Sequence, residues 1–190
     1  ADFDHRRAGP GQYAGDERQM TALTTLQNQL HTGVYRPRDV MEEALAQIKA
    51  DAHYKAWEWT YDNVEEALDT RFQSTQTPRP LDGLMLGIKD IFNSLTGTTE
   101  MGSPSWKGHH AGNDARVLGE FIYRGAVPVG KTTTSEFAVH DLPETLNPWN
   151  TAVTPGTSSS GPAVAVALGH VPVCLATQTA GSITRPASFT

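Results

Sequence analysis

The stretch from Asn113 to Gly130 constrains the fold more than any other part of the chain. Asn113 or Asp114 can cap a helix whose apolar residues, Val117, Leu118, Phe121 and Ile122, share one face. Gly125 ends that helix, and Ala126-Val-Pro-Val-Gly130 follows as a short apolar strand. A helix delivered through one glycine into a buried strand is the repeating unit of an α/β layout. Two further segments agree. Leu84 to Phe92, LMLGIKDIF, reads as an apolar strand that carries a lysine. VPVCLAT, ending at Thr177, reads as a buried strand that runs directly into the turn QTAGS.

The N-terminal half reads as helical. Leu23, Leu26 and Leu30 give a helix from Met20 that Gly33 can stop. Asp39 can cap a second helix with the apolar face Met41, Ala44, Leu45 and Ile48. A third helix is expected from Tyr61 to Phe72, followed by the turn region TQTPRPLDG. The segment SSSGPAVAVALGH fits a strand or a helix equally well. Residues 1–17 are polar and glycine-rich and are expected to form a flexible tail, leaving 18–190 as part of one domain.

Composition removes several function classes. A net charge of −6 argues against direct nucleic-acid binding driven by bulk charge. No apolar run approaches the length that spans a bilayer, so no membrane partner is expected. The single cysteine, Cys174, forbids an intrachain disulfide and fits a reducing, cytoplasmic setting. Cys174 and the four tryptophans, Trp57, Trp59, Trp106 and Trp149, read as packing residues. Glu100 and Glu136 read as surface charges. His109-His110 is the one histidine cluster, and it has no carboxylate or cysteine at metal-ligand spacing.

Three segments can carry chemistry. The turn Gln178-Thr179-Ala180-Gly181-Ser182 is made of small residues, so a ligand can approach its backbone. Successive N–H groups there can converge on an oxyanion, and a serine at the end is placed to attack a carbonyl. The same turn is equally a strand-to-helix connection with a capping serine. TPGTSSSG carries Ser158, Ser159 and Ser160, which can cap a helix, hold phosphate or relay protons. Lys89 lies inside an apolar strand. A buried lysine loses its charge readily and can act as a base. Its alternatives are an edge-strand lysine that reaches water or a partner of Asp90.

The ordered set is more specific than its parts. LDGLMLGIKD, GAVPVGKTTTSEFA, NPWN with VTPGTSSSG, and TQTAGSITRPAS follow one another as in the amidase-signature family, which the chain resembles from about Met20 onward. The resemblance implies a mixed β-sheet flanked by helices on both faces, incomplete in this chain. It implies a Ser–cis-Ser–Lys triad of Ser182 as nucleophile, Ser158 as bridging serine after a cis peptide bond, and Lys89 as base. Thr179, Ala180, Gly181 and Ser182 would form the oxyanion hole. The implied activity is hydrolysis of a carboxylic amide through a seryl acyl-enzyme, without metal or organic cofactor. The partners expected are a small-molecule amide, the remaining C-terminal part of the fold (on another chain or cut away) and a possible second copy. A lone 190-residue piece is expected to be inactive or poorly folded.

Some positions depart from the family pattern. Ala180 and Thr157 stand where glycine is usual, and Pro162 stands where a small residue is common. Alanine at 180 fits unless that position needs a positive φ. Arg185 can bind a substrate carboxylate or tie the turn to the sheet. Two rival readings stay open. One is an ammonia-supplying subunit of an amidotransferase, or a non-catalytic subunit, with HDLPETLNPW as a partner surface or an ordinary active-site loop. The other is a P-loop, because Gly125 to Thr132 fits GxxxxGK[ST], although its loop positions are apolar and stiff.

Overall fold

A computed structural model of the chain describes residues 17–71, 79–139 and 141–190. Most of the N-terminal tail and the start of TQTPRPLDG therefore lie outside the described residues. Two helices come first, α1 (Glu17–His31) and α2 (Pro37–Ala50). Strand β1 (Trp57–Thr60) and helix α3 (Val64–Arg71) follow. Then come β2 (Met85–Lys89), α4 (Arg116–Tyr123) and β3 (Val127–Thr132). The chain continues through α5 (Ser160–Ala167), β4 (Val173–Leu175) and α6 (Thr184–Phe189).

The four strands form one mixed sheet in the order β1-β3-β2-β4. β2 lies parallel to both β3 and β4, while β1 runs antiparallel to β3. The expected layout, a mixed sheet flanked by helices, is what the chain adopts. Alternation along β2 divides the core in two. Met85 joins Met41, Ile48, Val64, Ala67, Val127, Val129 and Ala165 on the face covered by α2, α3 and α5. Leu86 and Ile88 join Leu118, Phe121 and Ile122 of α4 on the other face. The SSSGPAVAVALGH segment is a helix. Pro162 sits in its first turn, where a missing N–H removes no helical bond.

Several local expectations are corrected. Asp39 does not cap α2. The helix starts two residues earlier at Pro37, and Asp39 pairs with Arg36 at 2.8 Å through both oxygens. Neither Asn113 nor Asp114 caps α4. The cap residue is Ala115, because the Asp114 carboxylate accepts from the Leu95 N–H at 2.7 Å. β4 is shorter and less buried than VPVCLAT promised, since it is an edge of the described sheet. Cys174 is half-buried as a residue, yet its thiol lies over Gly87, and burial pushes that thiol up to about 12. Trp106 and Trp149 are 40% and 45% exposed, and Trp106 packs at the surface against His109 and Phe137, in keeping with a packing role outside the core. The P-loop reading fails on geometry. Pro128 to Lys131 are paired in β3 rather than looped, and Lys131 is buried.

His170 joins the end of α5 to the sheet. Its Nδ1 accepts from Trp57 Nε1 at 3.1 Å, and its Nε2 lies 3.2 Å from Asp51 Oδ2. The acceptor role of Nδ1 puts the proton on Nε2. Burial holds the ring's pKa below its usual value, against the opposing pull of Asp51. Protonating Nδ1 would set two donors against each other. The unfolded chain therefore binds more protons here than the native one, and stability falls as pH drops through about 6.5. Denaturant melts of the complete protein between pH 7.5 and 5.5 should show that loss, and His170→Gln should lose less over the same interval.

Candidate active site

The site begins with a lysine that has nowhere polar to go except toward hydroxyls. Lys89 is the last residue of β2 and is fully buried. Its position in the strand places it on the same face as Met85 and Gly87, toward the start of α5. There Lys89 Nζ donates to Ser158 Oγ at 2.8 Å and to Thr177 Oγ1 at 2.9 Å. Burial lowers its pKa to about 8, since removal from water disfavours the ammonium. Asp90 is not its partner. That carboxylate leaves the opposite face of β2 and pairs with Lys131 at 2.7 Å.

The serine segment is pinned from two sides. Ser135 N–H donates to the Ser158 carbonyl at 3.2 Å, and Gly161 N–H donates to the Thr133 carbonyl at 3.1 Å. Ser159 N–H reaches the Ser182 carbonyl at 3.1 Å, and Ser159 Oγ reaches the Thr177 carbonyl at 3.3 Å. The Thr157–Ser158 peptide bond is cis. Gly161 makes the docking possible, because any Cβ there would overlap backbone atoms of Thr133 and Ala56.

The turn from Gln178 to Ser182 is held by its own side chains. Gln178 Oε1 accepts from the N–H groups of Ile183 and Thr184, each at 2.8 Å, and from Thr184 Oγ1 at 3.1 Å. It thus fills the place of a helix cap for α6. Gly181 has φ of +111°, a conformation that excludes side chains. Ala180 is not among the residues of positive φ, so alanine fits there. Among the described residues, none of the N–H groups of Thr179, Ala180, Gly181 and Ser182 donates a hydrogen bond. Four consecutive donors in a turn can serve an anionic oxygen. Arg185 is exposed, and its guanidinium donates to the Ala180 carbonyl at 3.3 Å, which helps close the turn.

The structure therefore brings Lys89 and Ser158 into direct contact and binds the Ser182 backbone to Ser159. Among the described residues, no hydrogen bond joins the hydroxyls of Ser158 and Ser182. Thr177, Ser135 and Gln178 are positioning groups that the sequence reading missed. Each is an ordinary polar loop residue in sequence, and only the fold reveals what it holds. Glu100 and Glu136, read as surface charges, staple the neighbouring loop instead. Glu100 accepts from the Gly108 N–H at 2.8 Å, and Glu136 accepts from Ser103 Oγ at 2.6 Å. His109 packs its ring against Trp106 at 5.1 Å between centroids.

The mixed four-stranded sheet flanked by helices is the layout of the amidase-signature enzymes that the chain resembles in structure. The chain belongs to the Amidase family, whose profile matches residues 39–190. A glutamyl-tRNA(Gln) amidotransferase subunit from Rhodopirellula baltica is 38% identical over 172 residues, covering 85% of this chain and 34% of that protein. The chain thus spans about a third of the length of that curated relative. A solved structure described as a vestigial protein complex, revealing the origins of an s-triazine catabolic enzyme, matches with a TM-score of 0.77. It is 33% identical and covers 86% of this chain and 38% of that one. The peptide amidase of Stenotrophomonas maltophilia matches with a TM-score of 0.73 at 29% identity, over 85% of this chain and 37% of that one.

The close approach at Gly161 gives a direct test of how the site is held. Gly161→Ala should destabilise the protein by about 1–3 kcal/mol, as overpacking does. Thermal unfolding of the complete protein measures this, and an unchanged melting temperature would contradict the docking described here.

Proposed function

We propose that the complete protein hydrolyses the C–N bond of a carboxylic amide through a seryl acyl-enzyme. The observation that carries this reading is the buried Lys89 amine, 2.8 Å from Ser158 Oγ and, among the described residues, without a carboxylate partner. A lysine so placed holds a far larger share of free amine near neutral pH than an ordinary lysine, and that amine can take a proton from a hydroxyl. Ser182 is the nucleophile. Its proton passes to Ser158 Oγ while the Ser158 proton passes to Lys89 Nζ. The freed oxygen bonds to the amide carbon, and the carbonyl oxygen becomes an oxyanion facing the N–H groups of Thr179, Ala180, Gly181 and Ser182.

The proton returns through Ser158 to the amide nitrogen as the C–N bond breaks. Ammonia or an amine leaves, and the acyl group stays on Ser182. Water then attacks the ester, giving its proton to the same relay, and releases the carboxylic acid. The hydroxyls of Ser158 and Ser182 close on each other when substrate binds, since contacts between catalytic groups often tighten only in the complex. Arg185 would face the substrate only by giving up its bond to Ala180.

The remaining part of the family fold, on this or another polypeptide, supplies the other walls of the substrate pocket. A second reading has an observation of its own. The curated relative from Rhodopirellula baltica is named an amidotransferase subunit. On that reading the same chemistry releases ammonia inside a complex, and the protein hydrolyses amides poorly when its partner is absent.

A fluorophosphonate probe should label Ser182 in the complete protein. Ser182→Ala should abolish labelling and amide hydrolysis, and Lys89→Ala should lower both by on the order of 10³-fold or more. Wild-type turnover in either variant would remove the triad. Lys89 works only as the free amine. Activity should therefore rise with pH through a midpoint of about 8 and level off about one unit higher.

A further inference from the structure

Two lysines are buried side by side in this sheet, and the fold treats them differently. Ile88 pairs with Lys131 and Lys89 with Thr132 in the parallel ladder between β2 and β3. Lys131 is 1% exposed and leaves the sheet on the face opposite Lys89. Its ammonium is fully used. Lys131 Nζ donates to Asp90 Oδ1 at 2.7 Å, to Thr99 Oγ1 at 2.9 Å and to the Thr98 carbonyl at 3.2 Å. An ammonium has three protons to donate, and all three are placed. The Asp90 carboxylate is equally committed, since Oδ2 accepts from the Glu100 N–H at 3.0 Å.

This arrangement decides the electrostatics of the neighbouring site. Asp90 follows Lys89 directly in the chain and is itself 1% exposed. An uncompensated carboxylate that close, within a poorly polarisable interior, would favour a charged lysine. We propose that Lys131 is a positioning residue for the reaction proposed above: by occupying Asp90, it leaves Lys89 without a counter-ion and free to serve as a neutral base. The proposal rests on the acyl-enzyme reading and adds a residue that never touches substrate.

The surroundings on both faces fit it. On the Lys89 side, the groups within hydrogen-bonding reach are the hydroxyls of Ser158 and Thr177, and the nearby titratable group on β4 is the neutral Cys174 thiol. On the Lys131 side, Glu100 acts on Lys131 from the adjoining loop, and Glu58 of β1 senses Asp90, Glu100 and Lys107. Lys107 lies 3.7 Å from Glu100. These outer charges flank the Lys131–Asp90 pair, and none of them is hydrogen-bonded to Lys89.

The test is the pH dependence of Ser182 labelling by a fluorophosphonate in the complete protein. Lys131→Met should move the midpoint of the acid limb up by about 0.5 pH unit or more, because Asp90 then acts on Lys89 unopposed. Asp90→Asn/Lys131→Met removes both charges and should return the midpoint to the wild-type value. A purely structural role predicts weaker labelling with an unmoved midpoint. Lys131→Gln can still donate to Asp90 and carries the same expected upward shift should Lys131→Met fail to fold. An unmoved midpoint in Lys131→Met or Lys131→Gln, or a double variant that stays shifted, would overturn the inference alone. A wild type that is not labelled at Ser182 would overturn the acyl-enzyme reading and this inference together.

Discussion

The site depends on one amine that is buried with no negative partner among the described residues. Removing a lysine from water is unfavourable for its charged form, and proteins usually compensate with a carboxylate. Here the fold withholds one from Lys89. The nearest carboxylate in sequence, Asp90, is turned to the other face of β2 and neutralised by a second lysine. Lys89 is left with two hydroxyls, which can accept from an amine or an ammonium but cannot hold the charge. Its pKa of about 8 is the outcome of that division of partners across a single strand.

Everything around the amine serves to deliver the hydroxyls to it. β2 is flanked by β3 and β4, so its end is fixed from both sides. The extension of β3 holds the start of α5 through Thr133 and Ser135. The turn after β4 holds it through Thr177 and Ser182. Gly161 lets α5 come close enough for these bonds to form. Gln178 then fixes the turn itself by accepting from the first N–H groups of the segment that follows it. The positioning is shared between backbone bonds from Thr133, Ser135 and Ser182 and the side chains of Thr177 and Gln178.

Much of this was legible in the sequence, and the failures have physical reasons. The long amphipathic segments declared themselves by spacing, as did the apolar strands around Lys89 and Val127. The helix starts were misplaced at Asp39 and at Asn113–Asp114, because those side chains had better partners elsewhere, Arg36 and the Leu95 N–H. VPVCLAT looked like an interior strand, yet β4 is an edge of the described sheet, where an apolar run need not be fully buried. Gly125 to Thr132 satisfied a nucleotide-binding pattern but was a strand, as its stiff apolar residues had indicated. Lys89 had three readings in sequence: its burial in a strand flanked on both sides removed the edge-strand one, and the placement of Asp90 beside Lys131 removed the ion-pair one. Thr177 could not be told from any hydroxyl that ends a strand.

The central claim is that Lys89 loses its proton at about pH 8, well below an ordinary lysine, so that a working share of it is free amine near neutral pH. Nuclear magnetic resonance titration of the lysine side-chain carbons tests it directly, with the Lys89 signal assigned by its loss in Lys89→Arg. The account predicts a midpoint of about 8 for that signal, clearly below the other lysines. A midpoint near the ordinary lysine value of about 10.4 would contradict it.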